Sequence, residues 1–280
     1  MTLQFNHELQ AEPLIQIMNL HGFDVSCFDL FFLLRSRDRR MQSTGCESPA
    51  LYALILEKNS VEARNFYQSL RVSYTLFFRD ALTFALLEQR ILPELIERHE
   101  KNGPASLRIW SAGCSTGQEP WSIAILLDEI HMTKPGVNWR IFATDIDAAN
   151  LEKARSGIYT SAEVGNIRMR YLESAFQKNA AYYTIEQRLR DRVEFSEYDV
   201  LDETTSSPPN SIFGDFDLIL CCNLLLYYRA EQQRQILDKL MRGLSPNGYF
   251  LTGETERQLV SRESHMREIL PGVPIFKRSS

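Results

Sequence analysis

The chain predicts an α/β protein: a doubly wound, largely parallel sheet preceded by a helical N-terminal domain. Three observations carry this. Beyond residue 105, short apolar runs alternate with helical patterns, the order that βαβ units produce. Before it, residues 10–100 show helical patterns throughout. Between the two regions, Leu107–Asp147 reads as an apolar run, a small-residue loop, an amphipathic helix and a second apolar run ending on a carboxylate. That is one βαβ unit with a ligand crevice expected at its strand ends.

Residues 10–100 divide at their capping signals. Ser26 is expected to cap Cys27–Met41, a helix with apolar residues on one side and Arg35, Arg37, Arg39 and Arg40 toward its end. Ser48-Pro49 opens the next helix, Asn59-Ser60 precedes another, and Arg79-Asp80 leads into a longer one. Lys101–Pro104 is the clearest linker, since it holds Gly and Pro together. Expected strands beyond it are Ser106–Ala112, Asn138–Asp145, Arg192–Asp199, Phe216–Asn223, Gly248–Thr255 and Pro274–Arg278. Helices are expected at Pro120–Ile130, Ala148–Ser156, Ala230–Leu244 and, last, near Ser261–Leu270. The apolar runs in Phe216–Cys222 fit a central buried strand. Residues 158–190 break the alternation and read as a small insertion at the sheet edge, with strands of its own at Tyr182–Glu186 and Arg192–Phe195.

Composition narrows the function classes. The 280 residues are 44% apolar and 24% charged, ordinary for a globular protein able to bury a sizeable core. A net charge of −5 argues against broad nucleic-acid binding. The five cysteines form no CxxC pair, and the five histidines have no metal-ligand spacing, so reduced thiols and no metal are expected. The first residues lack a basic segment followed by an apolar stretch, and no apolar run approaches the roughly 20 residues that span a bilayer. A cytoplasmic protein without membrane insertion is the expectation.

The chemistry concentrates in the βαβ unit. The loop Ala112–Gly117 is built of small residues, so a ligand can approach its backbone. It matches neither GxGxxG nor the phosphate loop, because Gln118 stands where that loop needs lysine. A tight strand–helix turn explains it equally well when taken alone. Asp145, at the end of the next strand, is placed to accept hydrogen bonds from a ribose diol. Asp147 suits the following helix cap, which leaves Asp145 without a structural task. Glu119 falls in the first helical turn, where a carboxylate favours the helix dipole. The same charge repels a phosphate and attracts an amino group, so it points from a dinucleotide toward S-adenosylmethionine.

Several separate stretches then resemble the chemotaxis receptor methyltransferase family, CheR-type, in that family's order. They are Ser73–Asp80, Trp110–Ala124, Phe142–Tyr159, Phe216–Tyr228 and Gly248–Glu256. The resemblance implies a Rossmann-like S-adenosylmethionine methyltransferase sheet over 86–280, a helical N-terminal domain over 1–85 and a small inserted β-subdomain at about 158–190. It also implies methylation of glutamate side chains on cytoplasmic helices of chemoreceptors, with S-adenosylhomocysteine as product. Carried over residue by residue, it gives Ser73, Thr75, Arg79, Gly113, Glu119, Asp145, Asp199, Val200, Asn223 and Leu224 to the cofactor, and Arg79 and Tyr227 to catalysis. Ser73 replaces a frequent Asn, and Asp199-Val200 replaces an Asn-Leu pair. Cys222 stands in place of an Arg, Arg229 stands where Asp is frequent, and Gly253–Glu256 replaces G-H-S-E.

A glutamate acceptor, with a reference pKa of about 4.3, is ionised near neutral pH and needs no general base. The basic face at Arg35, Arg37, Arg39 and Arg40 is complementary to an acidic receptor helix, though a solvated face explains it too. Two other readings stay open: a methyltransferase with a non-receptor protein acceptor, and a non-catalytic cofactor-binding regulator.

Overall fold

A computed structural model describes residues 2–102, 106–134, 136, 138–211 and 214–279. The chain forms two compact units, Met1–Val72 with Leu225–Arg234, and Ser73–Leu224 with Gln235–Ser280. They part between Val72 and Ser73, ahead of the domain boundary at residue 85 expected from sequence.

The first unit holds α1 (Thr2–Leu20), α2 (Leu30–Thr44), α3 (Pro49–Lys58) and α4 (Ser60–Ser69). Leu14, Met18, Leu33, Tyr52, Leu56 and Phe66 fill its core. Ser26 does not cap α2. Its own N–H donates to Asp24 at 2.8 Å, and Asp29 is the cap, accepting from the Phe32 N–H at 3.0 Å. Ser48 and Asn59 cap α3 and α4 as expected. The returning segment Leu225–Arg234 packs here through rings: Tyr228 stacks on Phe28 at 5.5 Å and Tyr227 meets Phe32 at 4.8 Å. The Asp29 N–H donates to Tyr227 O at 2.8 Å.

In the second unit, α5 (Ala81–Leu86), capped by Asp80, runs through a π-helical turn (Leu87–Ile91) into α6 (Leu92–Asn102). Lys101 and Asn102 therefore belong to a helix, and Gly103 and Pro104 of the expected linker lie outside the described residues. There follow β1 (Leu107–Ala112), α7 (Gln118–Thr133), β2 (Trp139–Asp145) and α8 (Ala148–Ser156). The insertion comprises β3 (Ile158–Thr160), α9 (Met169–Ala175), β4 (Phe176–Asn179), β5 (Tyr182–Ile185) and α10 (Gln187–Arg190). The chain continues with β6 (Val193–Glu197), β7 (Phe216–Cys221), α11 (Ala230–Gly243), β8 (Leu244–Thr252), α12 (Arg257–Val260), β9 (Met266–Glu268) and β10 (Ile275–Arg278).

The main sheet has the order β6-β2-β1-β7-β8-β10-β9, parallel from β6 to β8 and antiparallel at β10. Ile109 of β1 is in register with Ile141 on one side and Leu218 on the other, so β1 is the hinge from which the strand order runs both ways. Every residue of β7 is buried, its apolar residues in the core and Asp217 held by Arg98 at 2.9 Å. The insertion forms a separate antiparallel sheet, β3-β5-β4.

Two expectations are corrected. Val193–Glu197 pairs with β2 in the main sheet and takes no part in the insertion's sheet. The last expected helix, near Ser261–Leu270, is a turn followed by β9. Ser261–His265 has no apolar residue to face a core, whereas Met266 is buried and Arg267 exposed, the alternation of an edge strand. Among the described residues, no helix is long and apolar enough to cross a membrane, and no three His, Cys, Asp or Glu side chains are grouped to hold a metal ion.

Candidate active site

The carboxyl ends of β1, β2, β6, β7 and β8 bring together Gly113, Asp145, Asp199, Asn223 and Gly253–Glu256. They flank the point where the strand order reverses, the usual ligand position in an open α/β sheet. The loop after β1 is pinned to β2: the Gly113 and Cys114 N–H groups both donate to Thr144 O at 2.8 Å. Gly113 has φ +74°, and a Cβ there would lie 3.2 Å from Leu224 Cδ2. Leu224 thus packs directly over the Gly113 backbone, and the pair forms a narrow cradle.

Glu119 is not a helix cap; Gly117 holds that position without a side-chain bond. The Glu119 carboxylate turns back to β1 and accepts the Ser111 hydroxyl at 2.7 Å. Burial pushes its pKa up, the Ser111 hydroxyl and the Cys222 thiol pull it down, the like charge of Glu256 raises it and Arg79 lowers it. Burial keeps Cys222 protonated, and its thiol lies 3.9 Å from Leu251 O. Ser111 escaped the sequence reading, although a serine inside an apolar strand is the sign of a polar group that needs a partner.

Asp147 caps α8, accepting from the Ala149 N–H at 2.9 Å and the Asn150 N–H at 3.3 Å, as expected. Asp145, expected to be structurally idle, is not. It accepts from the Ser115 N–H at 2.7 Å and the Asp147 N–H at 2.9 Å, so it also shapes the small-residue loop. Burial raises its pKa, and those two backbone donors oppose the rise. After β6, Asp199 Oδ1 accepts from the Leu201 N–H at 2.8 Å and Val200 is buried.

Ser73 and Arg79 are exposed and Thr75 is half-buried. Arg79 leans over the Tyr74 ring at 5.3 Å, and Asp80 is engaged in capping α5. Just before Arg79, Phe78 holds φ +49°, unusual for a bulky residue. Its N–H donates to Ser122 Oγ at 3.0 Å, which fixes the loop to α7. Asn223, at φ +59°, is another left-handed residue of the site. Tyr227 lies in the first unit. Ser73, Thr75, Arg79, Gly113, Glu119, Asp145, Asp199, Val200, Asn223 and Leu224 all lie in the second.

The donor set fits S-adenosylmethionine. A carboxylate on Glu119 matches an ammonium, a carboxylate on Asp145 matches a diol, and Leu224 packs on the bare Gly113 backbone, where a side chain would push it away. No lysine or arginine stands at the α7 N-terminus to favour a phosphate.

The family model "CheR methyltransferase, SAM binding domain" matches residues 73–271. The chain is 34% identical over 224 residues to the chemotaxis protein methyltransferase of Salmonella typhimurium, covering 78% of this chain and 73% of the relative. The Escherichia coli chemotaxis protein methyltransferase is 35% identical over 224 residues with the same coverage. Chemotaxis protein methyltransferase 1 of Pseudomonas aeruginosa is 38% identical over 187 residues, 65% of each chain. With the strand order and the strand-end carboxylates, these matches make the chain a member of the S-adenosylmethionine-binding CheR methyltransferase family.

Proposed function

We propose that this methyltransferase esterifies glutamate side chains on the cytoplasmic helices of chemoreceptors, working in the cytoplasm and releasing S-adenosylhomocysteine. The observation that carries the reading is a pair of partly buried carboxylates, Glu119 turned from α7 onto the end of β1 and Asp145 at the end of the adjoining β2, in a chain similar to chemotaxis protein methyltransferases. When bound, S-adenosylmethionine supplies an electrophilic methyl group on a sulfonium. Glu119 receives the ammonium and Asp145 the ribose hydroxyls. Asp199 and Val200 face the adenine, and Asn223, Leu224, Gly113, Ser73 and Thr75 complete the enclosure.

The acceptor carboxylate is ionised without help, so the protein's tasks are to bring an anion to a buried, partly charged crevice and to orient it. Arg79 anchors the acidic acceptor, and its charge also favours ionised Glu119. Tyr227 orients the acceptor through its hydroxyl. Such positioning supplies up to roughly 7–11 kcal/mol of barrier lowering. The helical domain, expected over 1–85, carries the receptor-facing charge.

Radiolabelled methyl transfer onto receptor membranes tests the reading: base-labile label supports the ester. Label on other proteins alone supports a different acceptor, which Cys222 in place of Arg would favour. Cofactor binding without transfer supports a regulator. Tyr227→Phe and Arg79→Ala should lower kcat at least tenfold, and near-normal turnover in both removes these two assignments.

A further inference from the structure

We propose that Glu256 is a positioning residue of the cofactor site, acting through the turn at Asn223. This deepens the function proposed above and rests on the strand-end crevice being the cofactor site. The Glu256 side chain is almost completely buried, at 1% exposure. A buried carboxylate is costly unless donors surround it. Here Oε2 accepts from the Asn223 N–H at 2.7 Å and from the Gly253 N–H at 3.0 Å. The Thr252 hydroxyl lies 3.1 Å from the same oxygen and 3.0 Å from Cys221 O, between which its single proton is shared.

These donors sit at or just beyond the ends of β7 and β8. One oxygen therefore ties two strand ends together at the mouth of the crevice. The tie holds Asn223 at a φ of +59°, a left-handed conformation that Asn adopts more readily than other residues with a Cβ. The turn it makes sends the next residue, Leu224, over the Gly113 backbone. Glu256 thus sets the cradle without touching it.

Gly253 gives an independent sign of how tight the clamp is. Its φ of −73° and ψ of 153° are open to any residue, yet a Cβ there would lie 2.8 Å from Glu256 Oε2, 2.9 Å from Asn223 Nδ2 and 3.1 Å from Asn223 N. What a larger residue would violate at this position is the Glu256–Asn223 clamp itself.

The test uses the full chain, calorimetric binding of S-adenosylhomocysteine, and amide hydrogen exchange without ligand. Glu256→Gln keeps the shape and one oxygen but loses the charge, and should weaken binding about tenfold. Gly253→Ala, whose backbone tolerates alanine, should weaken binding similarly. Both variants should speed exchange of the Asn223 amide. Wild-type affinity in both Glu256→Gln and Gly253→Ala, or an unchanged exchange rate of the Asn223 amide in both, overturns the proposal. A wild-type chain that binds no S-adenosylhomocysteine overturns the cofactor reading itself, and this proposal with it.

Discussion

Glu119 is a carboxylate that the folded chain holds at a cost. Burial raises its pKa, and the same is true of Asp145. A carboxyl group whose folded pKa lies above its unfolded value binds its proton more tightly when folded, so ionisation works against folding. The contribution of these two groups to the stability of the ligand-free protein should therefore fall as pH rises from the unfolded carboxylate range, near 4, through the raised folded values. Glu119→Gln should flatten this decline and raise the ligand-free melting temperature at neutral pH. It should also weaken S-adenosylhomocysteine binding about ten- to a hundredfold, by loss of a charge-assisted contact. Denaturant melts at pH 5 and 7.5, with calorimetry alongside, would check both; an unchanged affinity would remove Glu119 from the site. Glu119, Asp145 and Gly113 were legible in sequence because strand, loop and helix follow each other directly. Ser111 was not singled out, and Cys222 and Glu256 were noted only as departures or survivals of a motif. Cys222 and Glu256 follow β7 and β8, far along the chain, and only the register of β1, β7 and β8 brings them near Glu119.

Among the elements, the turn from β1 into α7 is the most tightly specified. Gly117 has φ +93°, and a Cβ would lie 2.8 Å from Ala154 Cβ and 3.0 Å from the Tyr159 hydroxyl. Gly117→Ala should cost about 2–3 kcal/mol through backbone strain and overpacking together, read as a lower urea midpoint at unchanged slope. Ser122→Ala releases the Phe78 N–H and should cost about 1–2 kcal/mol, with faster exchange of the Phe78 amide as its signature. Strand and helix identities followed well from apolar runs, since β1, β2, β7 and β8 are buried in the sheet. The failures lie where local pattern carried too little weight. Three-residue β9 is held by its pairing with β10, and the α2 start is decided by which of two nearby side chains, Ser26 or Asp29, reaches the Phe32 N–H.

At the scale of the whole molecule, the four arginines of α2 separate into two kinds. Arg40 grips the buried Glu62 with two bonds, at 3.0 and 2.6 Å, and Tyr52 donates to the same carboxylate at 2.7 Å. Arg37 is buried beside Asp38. Arg35 and Arg39 are exposed. Arg40→Ala should therefore destabilise the helical unit by about 2–3 kcal/mol, since it strands a buried charge whose partner is only partly exposed; faster exchange in α2 and α4 would report it. Charge reversal at Arg35 and Arg39 should weaken receptor methylation and leave S-adenosylhomocysteine affinity intact, and unchanged receptor affinity would end the docking idea. The sequence showed the basic cluster but could not sort it, because Glu62 lies on another helix. The return of Leu225–Arg234 to the helical unit was equally hidden, and it bears on biosynthesis. Phe28 and Phe32 emerge from the ribosome early, whereas Tyr227 and Tyr228, which cover them, emerge only after β7 has been made. The nascent helical unit must wait with those rings uncovered, an interval in which a chaperone can bind it and premature release of the chain leaves it sticky.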